Sequence, residues 1–393
     1  MEKTSAIPCN HFSRICVITG TRADYGLLKN VISKIKMDNE LELQIIVTGS
    51  HTSEKYGLTY HYIIEDGFNI DRIIPMELND DSAKNIVAES GKELIGMSSA
   101  FASLKPDMIV VLGDRYEILI AVYAATIFNI KICHICGGDI TEYAYDDNIR
   151  HAITKMSHLH FTTHTTSSNR IIQMGETSDN VYCCGNPGLE DLHNFTPYDK
   201  ETLCKNLNIK LNEYNFLVIF HPVTLLNNLH SEFAIIERVL EYYLNKPNYN
   251  LFLLFPNSDN NNNIIINSYN SLSKYNNCYL FDSLKRFDYL SLASHMDLFI
   301  GNSSSGIYEM PVLQIPVINI GNRQEGRLIS NGIENTDVDY DMIIEKISSK
   351  LIMDKSTIKS VYPTMNSSEL IINKIKEYLT TNVNVKKFAD IIY

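Results

Sequence analysis

The chain has 393 residues, of which 45% are hydrophobic and 20% charged, and 46 acidic against 34 basic side chains give a net charge of −12. This size allows two or three domains, and the composition is that of a globular protein. The acidic balance excludes electrostatically driven nucleic-acid binding, and no apolar run approaches the roughly 20 residues of a membrane span.

The first residues, MEKTSAIPCNHFS, lack the apolar core of a secretory signal, and residues 1–13 are expected to form a tail. Eight cysteines are too few for a disulfide scaffold and point to a reducing, cytoplasmic setting. Cys133 and Cys136 form a C-x-x-C without a second pair at ligand spacing, so no metal is expected.

An apolar strand, Ile15–Thr19, runs into Gly20-Thr-Arg-Ala-Asp-Tyr-Gly26 and a helix from Leu27 to about Met37. The next strand, Leu41–Thr48, ends at Gly49-Ser-His51, and a helix fits Ser82–Leu104. Met108–Leu112 stops at Gly113-Asp-Arg115, and Ile130–Ile135 stops at Gly137-Gly138. Asp139, Glu142, Asp146 and Asp147 follow, and acidic residues in a first turn suit the start of a helix. In that helix Ile149, Ala152, Ile153 and Met156 share one face. Asp147, Arg150, His151, Thr154 and His158 share another. Placed beyond a strand and a Gly-Gly turn, the polar stripe reads as a cleft wall.

The rhythm resumes after Asn186-Pro-Gly188. Strands are expected at Phe216–Phe220, Leu251–Phe255, Tyr279–Phe281, Leu298–Ile300 and Val317–Ile320, with helices at Ser231–Leu244 and Phe287–Ser294. The asparagine run Asn260–Asn263 reads as a surface loop. Strand, turn and helix in alternation predict parallel sheets covered on both faces. The expected organisation is two doubly wound, Rossmann-like domains, 14–190 and 191–363, with a cleft between them. A last segment, 364–393, carries a helix at Glu369–Leu379 that would pack back on the first domain.

Gly301-Asn-Ser-Ser-Ser-Gly306 lies between a strand and a helix start at Ile307–Val312, and its hydroxyls and N–H groups suit a diphosphate. It lacks the P-loop lysine, and Gly20–Gly26 lacks the dinucleotide fingerprint, so an NAD enzyme is not expected. Arg22, Arg115, His221 and Arg323 each follow a strand, forming a cationic lining for phosphates. Glu309 could accept hydrogen bonds from ribose hydroxyls.

As an ordered set these motifs resemble the hydrolysing UDP-N-acetylglucosamine 2-epimerases of sialic acid synthesis. The set comprises Gly-Thr-Arg-Ala-Asp-Tyr-Gly, Gly-Asp-Arg, Gly-Gly-Asp with Asp-Asp-x-x-Arg-His, His221-Pro-Val-Thr, Phe255-Pro-Asn and Gly-Asn-Ser-Ser-Ser-Gly. The resemblance covers residues 14–330. It implies a GT-B-like α/β fold and conversion of UDP-N-acetylglucosamine and water to N-acetylmannosamine and UDP, with no cofactor. A homodimer or homotetramer is implied as well. By resemblance Arg22, Ala23, His221, Asn257, Ser303, Ser304, Ser305, Glu309 and Arg323 bind UDP, and Arg115 lies beside the diphosphate. His51, Asp114 and Asp147 are implied as active-site residues, with Asp139 or Glu142 as further acid or base. The chain departs from the pattern at Cys136, often Glu or His, at Asp139, often Glu, and at Asn261, usually Gly. The alternatives are the same chemistry on a 2,4-diacetamido-2,4,6-trideoxy nucleotide sugar, a non-hydrolysing epimerase, a GT-B glycosyltransferase, and a nucleotide-sugar sensor.

Overall fold

A computed structural model describes residues 12–78, 82–140, 145–221, 229–256, 262–282, 284–381 and 386–390. The chain divides into two compact units, Met1–Glu190 with Pro363–Tyr393, and Asp191–Tyr362.

The first unit holds a seven-stranded sheet. Its strands are β1 (Ser13–Thr19), β2 (Leu41–Val47), β3 (Arg72–Ile73), β4 (Met108–Leu112), β5 (Lys131–Ile135), β6 (Leu159–Thr162) and β7 (Val181–Cys183). They lie in the order β3-β2-β1-β4-β5-β6-β7, and every pairing is parallel. Helices α1 (Arg22–Met37), α2 (His61–Glu65), α3 (Ala83–Leu104), α4 (Tyr116–Ile127), α5 (Tyr145–Met156) and α6 (Thr165–Gln173) connect them. Ile15, Cys16, Val17 and Ile18 are all buried, as a parallel strand covered on both faces requires. Ile15 and Val17 pack with Leu28, Ile32 and Ile35 of α1. Cys16 and Ile18 turn to the other face and meet Met97 and Phe101 of α3 and Ile118 and Val122 of α4.

The second unit repeats the plan with α7 (Lys200–Leu207), β8 (Tyr214–Ile219), α8 (Leu229–Leu244), β9 (Tyr249–Leu254), α9 (Asn262–Leu272), β10 (Cys278–Phe281) and α10 (Arg286–Ser294). It continues through β11 (Leu298–Gly301), α11 (Ser304–Val312), β12 (Val317–Ile320), β13 (Ile333–Thr336) and α12 (Tyr340–Leu351). The six strands run parallel in the order β10-β9-β8-β11-β12-β13. Phe216 and Val218 pack against Phe233, Leu240, Tyr269 and Ile347. Strand order reverses between β1 and β4 in one unit and between β8 and β11 in the other, the points where open α/β sheets bind ligands. A final helix, α13 (Ser367–Thr380), returns to the first unit. Its Ile371, Ile372, Ile375 and Tyr378 join the core that contains α1.

Two helix starts differ from expectation in ways that matter to the site. Helix α1 begins at Arg22 rather than Leu27, because Thr21 and Asp24 form a reciprocal capping box. Arg22 and Ala23 therefore occupy a first helical turn, not a loop. Helix α11 begins at Ser304 rather than Ile307, with Ser303 as its cap. The polar stripe of α5 is not a solvated face: Arg150 is 5% exposed and Thr154 0%. His158 lies past the helix end and accepts from Ile132 N–H at 3.2 Å. Strands β3, β6, β7 and β13, not expected above, have four residues or fewer. Helix α4, YEILIAVYAATI, not expected either, is apolar nearly all round and shows no helical period. Among the described residues no helix is long and apolar enough to cross a membrane.

Candidate active site

In the first unit the candidate residues gather at the carboxyl ends of β1, β2, β4 and β5. The loop after β1 is fixed by Asp24, whose carboxylate accepts from Gly20 N–H at 2.9 Å and Thr21 N–H at 2.7 Å. Burial pushes the Asp24 carboxyl up, against the donors of Thr21 and Gly20. Arg22 and Ala23 are left exposed on the first turn of α1, and the Arg22 guanidinium stands 4.8 Å over the ring of Tyr62. His51, after β2, is buried between two hydroxyls, Thr19 at 3.1 Å from Nε2 and Thr59 at 2.8 Å from Nδ1. Burial holds its imidazole down to about 4, so His51 is neutral at pH 7.

Arg150 organises the carboxylates. From α5 its guanidinium donates to the Asp114 carboxylate, to Asp147 Oδ1 at 3.1 Å and to the backbone oxygen of Asp139 at 3.0 Å. Asp147 also faces His151 Nε2 at 3.4 Å, one helical turn on. The Asp139 side chain turns elsewhere, accepting from the hydroxyls of Thr163 and Ser167. Underneath, His134 Nε2 lies 2.8 Å from the backbone oxygen of Gly113 and Nδ1 lies 3.1 Å from the Thr154 hydroxyl. Burial holds His134 down to about 3. Nε2 therefore carries the hydrogen and Nδ1 accepts from Thr154, tying β4, β5 and α5 together. Arg115 stands beside Asp114 but directs Nε to Glu117, 2.5 Å away. Cys136 takes a left-handed φ of +62°. Burial, with Asp139 next, pushes its thiol well up.

In the second unit Asn302 is the hub. It accepts from His221 N–H at 2.7 Å and donates to the His221 backbone oxygen at 2.8 Å, bridging the ends of β8 and β11. Its own backbone oxygen accepts from Arg323 at 3.1 Å and Gln324 at 2.8 Å. His221 borders a cavity of about 300 Å³ lined also by Phe220, Phe233, Asn302, Gly321 and Asp337. Burial, and secondarily Arg323, holds the imidazole down to about 4. Ser303 caps α11 through Ser305 N–H at 3.4 Å, the Ser305 hydroxyl bonds Tyr289, and Ser304 opens the helix. Glu309, further along α11, pairs with Arg286 at 2.6 Å, and Arg286 also pairs with Asp191 at 3.0 Å.

The structure thus brings Asp114 and Asp147 together around Arg150, and His221, Ser303 and Arg323 around Asn302. It sets His51 and the Asp139 carboxylate in hydroxyl cages of their own, and ties Glu309 to Arg286. Glu142 and Asn257 lie outside the described residues. Asn302, His134, Glu117 and Arg286 were not among the candidates, and Arg150 was read only as part of the polar stripe taken for a cleft wall. The signal for Arg150 and Asn302 was present, since both stand inside quoted motifs; the roles of His134, Glu117 and Arg286 depend on contacts between elements.

Residues 33–376 match the family model described as UDP-N-acetylglucosamine 2-epimerase. The chain belongs to the UDP-N-acetylglucosamine 2-epimerase family. Over 341 residues it is 39% identical to a GDP/UDP-N,N'-diacetylbacillosamine 2-epimerase (hydrolyzing) of Campylobacter jejuni, covering 86% of this chain and 88% of that relative. It is 32% identical over 387 residues to the polysialic acid biosynthesis protein P7 of Escherichia coli, covering 96% and 97%. The fold matches the crystal structure of a UDP-GlcNAc 2-epimerase from Neisseria meningitidis with a TM-score of 0.70 at 18% identity, covering 93% of this chain and 100% of that one. The two parallel-sheet units are those of GT-B-like epimerases of this family.

Proposed function

We propose that this family member is a hydrolysing 2-epimerase that converts a nucleotide-linked 2-acetamido sugar and water to the free 2-epimer and the nucleoside diphosphate. The observation that carries the catalytic part is Arg150, which draws Asp114 and Asp147 to one guanidinium at the strand ends. The hydrogen on sugar carbon 2 is only weakly acidic, because no carbonyl adjoins it. Departure of the diphosphate from carbon 1, taking the bonding pair, leaves an oxocarbenium-like ring and acidifies that hydrogen. A carboxylate of the Asp114–Asp147 pair takes the proton, giving a carbon 1–carbon 2 double bond. Water then adds its oxygen to carbon 1, and a proton reaches carbon 2 on the opposite face. The sum balances without a redox carrier.

In the second unit, the start of α11 and Arg323 are proposed to hold the diphosphate. His221 acts there as a neutral donor. Arg22 and Arg115 are proposed to supply further positive charge as the leaving group gains its own. Asp139, His51 and Glu309 are proposed to brace the site from behind, through the hydrogen bonds they make to Thr163 and Ser167, to Thr19 and Thr59, and to Arg286. The same reading includes a homodimer or homotetramer, which light scattering would measure.

For the substrate we favour a nucleotide-linked N,N'-diacetylbacillosamine, a 2,4-diacetamido-2,4,6-trideoxy sugar, supported by the relative at 39% identity. UDP-N-acetylglucosamine, the first expectation from the motifs, is the second reading, supported by the polysialic acid relative that matches nearly the whole chain. The test is NMR of the purified protein in D2O with UDP- and GDP-linked diacetylbacillosamine and with UDP-N-acetylglucosamine. The expected result is free 2-epimer deuterated at carbon 2 and free nucleoside diphosphate, fastest from a diacetamido substrate. A product that stays nucleotide-linked, or no free sugar from any of them, refutes the proposal.

A further inference from the structure

The loops after β1 and β2 rest on an acidic side chain that the scheme above does not use. Glu117, in the first turn of α4, is 0% exposed. Its Oε1 accepts from Arg115 Nε at 2.5 Å, while Oε2 has no hydrogen-bond partner among the described residues. A Cβ added at Gly20 would stand 2.6 Å from Oε1, and one at Gly49 would stand 3.0 Å from it. Gly49 also has a φ of +59°, so that turn needs glycine both for its backbone and for the carboxylate beneath it.

Glu93 of α3 adjoins this site. It too is 0% exposed, and neither of its carboxyl oxygens has a hydrogen-bond partner among the described residues. Burial, with Glu117 next, pushes the Glu93 carboxyl up to about 9, so it carries its proton at neutral pH. Two adjoining buried acids, only one of them paired with a guanidinium, are a costly way to fill a core, and an apolar pair of the same volume would fold more easily. What the arrangement does achieve is placement. The turn after β1 leads into Arg22 and Ala23. The turn after β2 carries His51, whose N–H bonds the backbone oxygen of Gly20 at 3.1 Å. Arg115 caps α4 next to Asp114.

We propose that Glu117 is a positioning residue of the epimerase reaction: from beneath the two glycine turns, with Glu93 beside it, it holds the guanidinium of Arg115 at the end of β4 in the orientation that meets the departing diphosphate. This rests on the function proposed above.

Glu117→Gln keeps the volume and removes the charge, and is measured beside Arg115→Lys and the double variant. The expected result for Glu117→Gln is a kcat lower by roughly 10- to 100-fold with KM within about threefold, the pattern of an interaction made in the transition state. The double variant falls no further than Arg115→Lys alone, because both changes remove one function. A second readout needs no turnover. In 15N-arginine spectra the Arg115 Nε–H, assigned by its loss in Arg115→Lys, exchanges slowly in the wild type and quickly in Glu117→Gln. Wild-type kcat in Glu117→Gln, losses that multiply in the double variant, or a freely exchanging Arg115 Nε–H in the wild type each overturn the inference. If the wild type releases no sugar from any nucleotide sugar, the functional reading fails, and the Arg115 resonance still decides whether Glu117 holds that guanidinium.

Discussion

Replacing Arg150 by methionine keeps the length of the side chain within its buried path and removes the charge that Asp114 and Asp147 share. A unit-charge pair about 4 Å apart is worth ~4 kcal/mol at an effective dielectric of about 20. Asp114 and Asp147 are 28% and 27% exposed, so water screens part of that interaction. A net loss of ~2–3 kcal/mol is the reasonable expectation after discounting for that exposure. At ~2–4 °C per kcal/mol for a unit of this size, the midpoint of thermal unfolding should fall by ~4–12 °C. Turnover should fall as well, because the carboxylate pair loses the guanidinium that orients it for proton transfer. The assay is free-sugar release together with calorimetry, with Arg150→Lys as a variant that restores part of both. An Arg150→Met protein whose unfolding midpoint and turnover both match the wild type would refute the reasoning.

Asp147→Asn should leave UDP affinity within a few-fold and lower turnover by orders of magnitude, as expected of a proton-transfer group; calorimetric titration with UDP separates this from misfolding, in which both are lost. His51, His134, His158 and His221 are held down by burial to about 4, 3, 4 and 4. In the unfolded chain they take up protons near ~6.5. The stability they contribute is therefore complete above that pH and is lost as pH falls toward 4, by several kcal/mol in total. Urea unfolding at pH 7.5 and 5 measures the loss, and equal stability at the two would contradict it. Glu176 is 3% exposed and bonds Lys155 at 2.7 Å, Lys386 at 2.8 Å and His160 at 3.1 Å. Burial opposes its charge, but these partners hold the carboxyl down to about 2. After burial, the His160 hydrogen bond leads the causes, followed by Lys155 and Lys386. Glu176→Gln should cost ~2–3 kcal/mol at pH 7, and the gap to wild type should close as pH falls from about 4.5 toward 2; a gap independent of pH would assign the cost to packing instead.

The fold was legible because buried parallel strands write themselves as short apolar runs that end at glycine. Ile15–Thr19, Met108–Leu112 and Val317–Ile320 are of that kind, and the strand-to-helix alternation gave both sheets. The edge strands were not legible, since Arg72–Ile73 and Val181–Cys183 are too short to show a period. Helix starts were misplaced where a capping pair, such as Thr21 with Asp24, begins the helix at residues that resemble a loop. Motif spacing put Asp114, His221, Ser303 and Arg323 just past strand ends and Asp147 at the start of a helix, where the structure has them. It could not show that Arg150 and Asn302 are the hubs, because that depends on which side chains meet in space. Nor could it show that Glu309 meets Arg286, 23 residues upstream.

Helix α13 gives the first unit an unusual birth order. Its seat is built by residues from the start of the chain, yet the helix itself emerges only after Asp191–Tyr362. At ~5–20 residues per second, translation of the intervening stretch takes roughly ten to thirty-five seconds. For that interval the groove awaiting Ile371 and Ile375 stays open on the nascent chain, while the contiguous second unit already has everything it needs. The later-made half is thus the one able to finish first, and a ribosome halted near residue 360 would carry a sticky, unfinished partner.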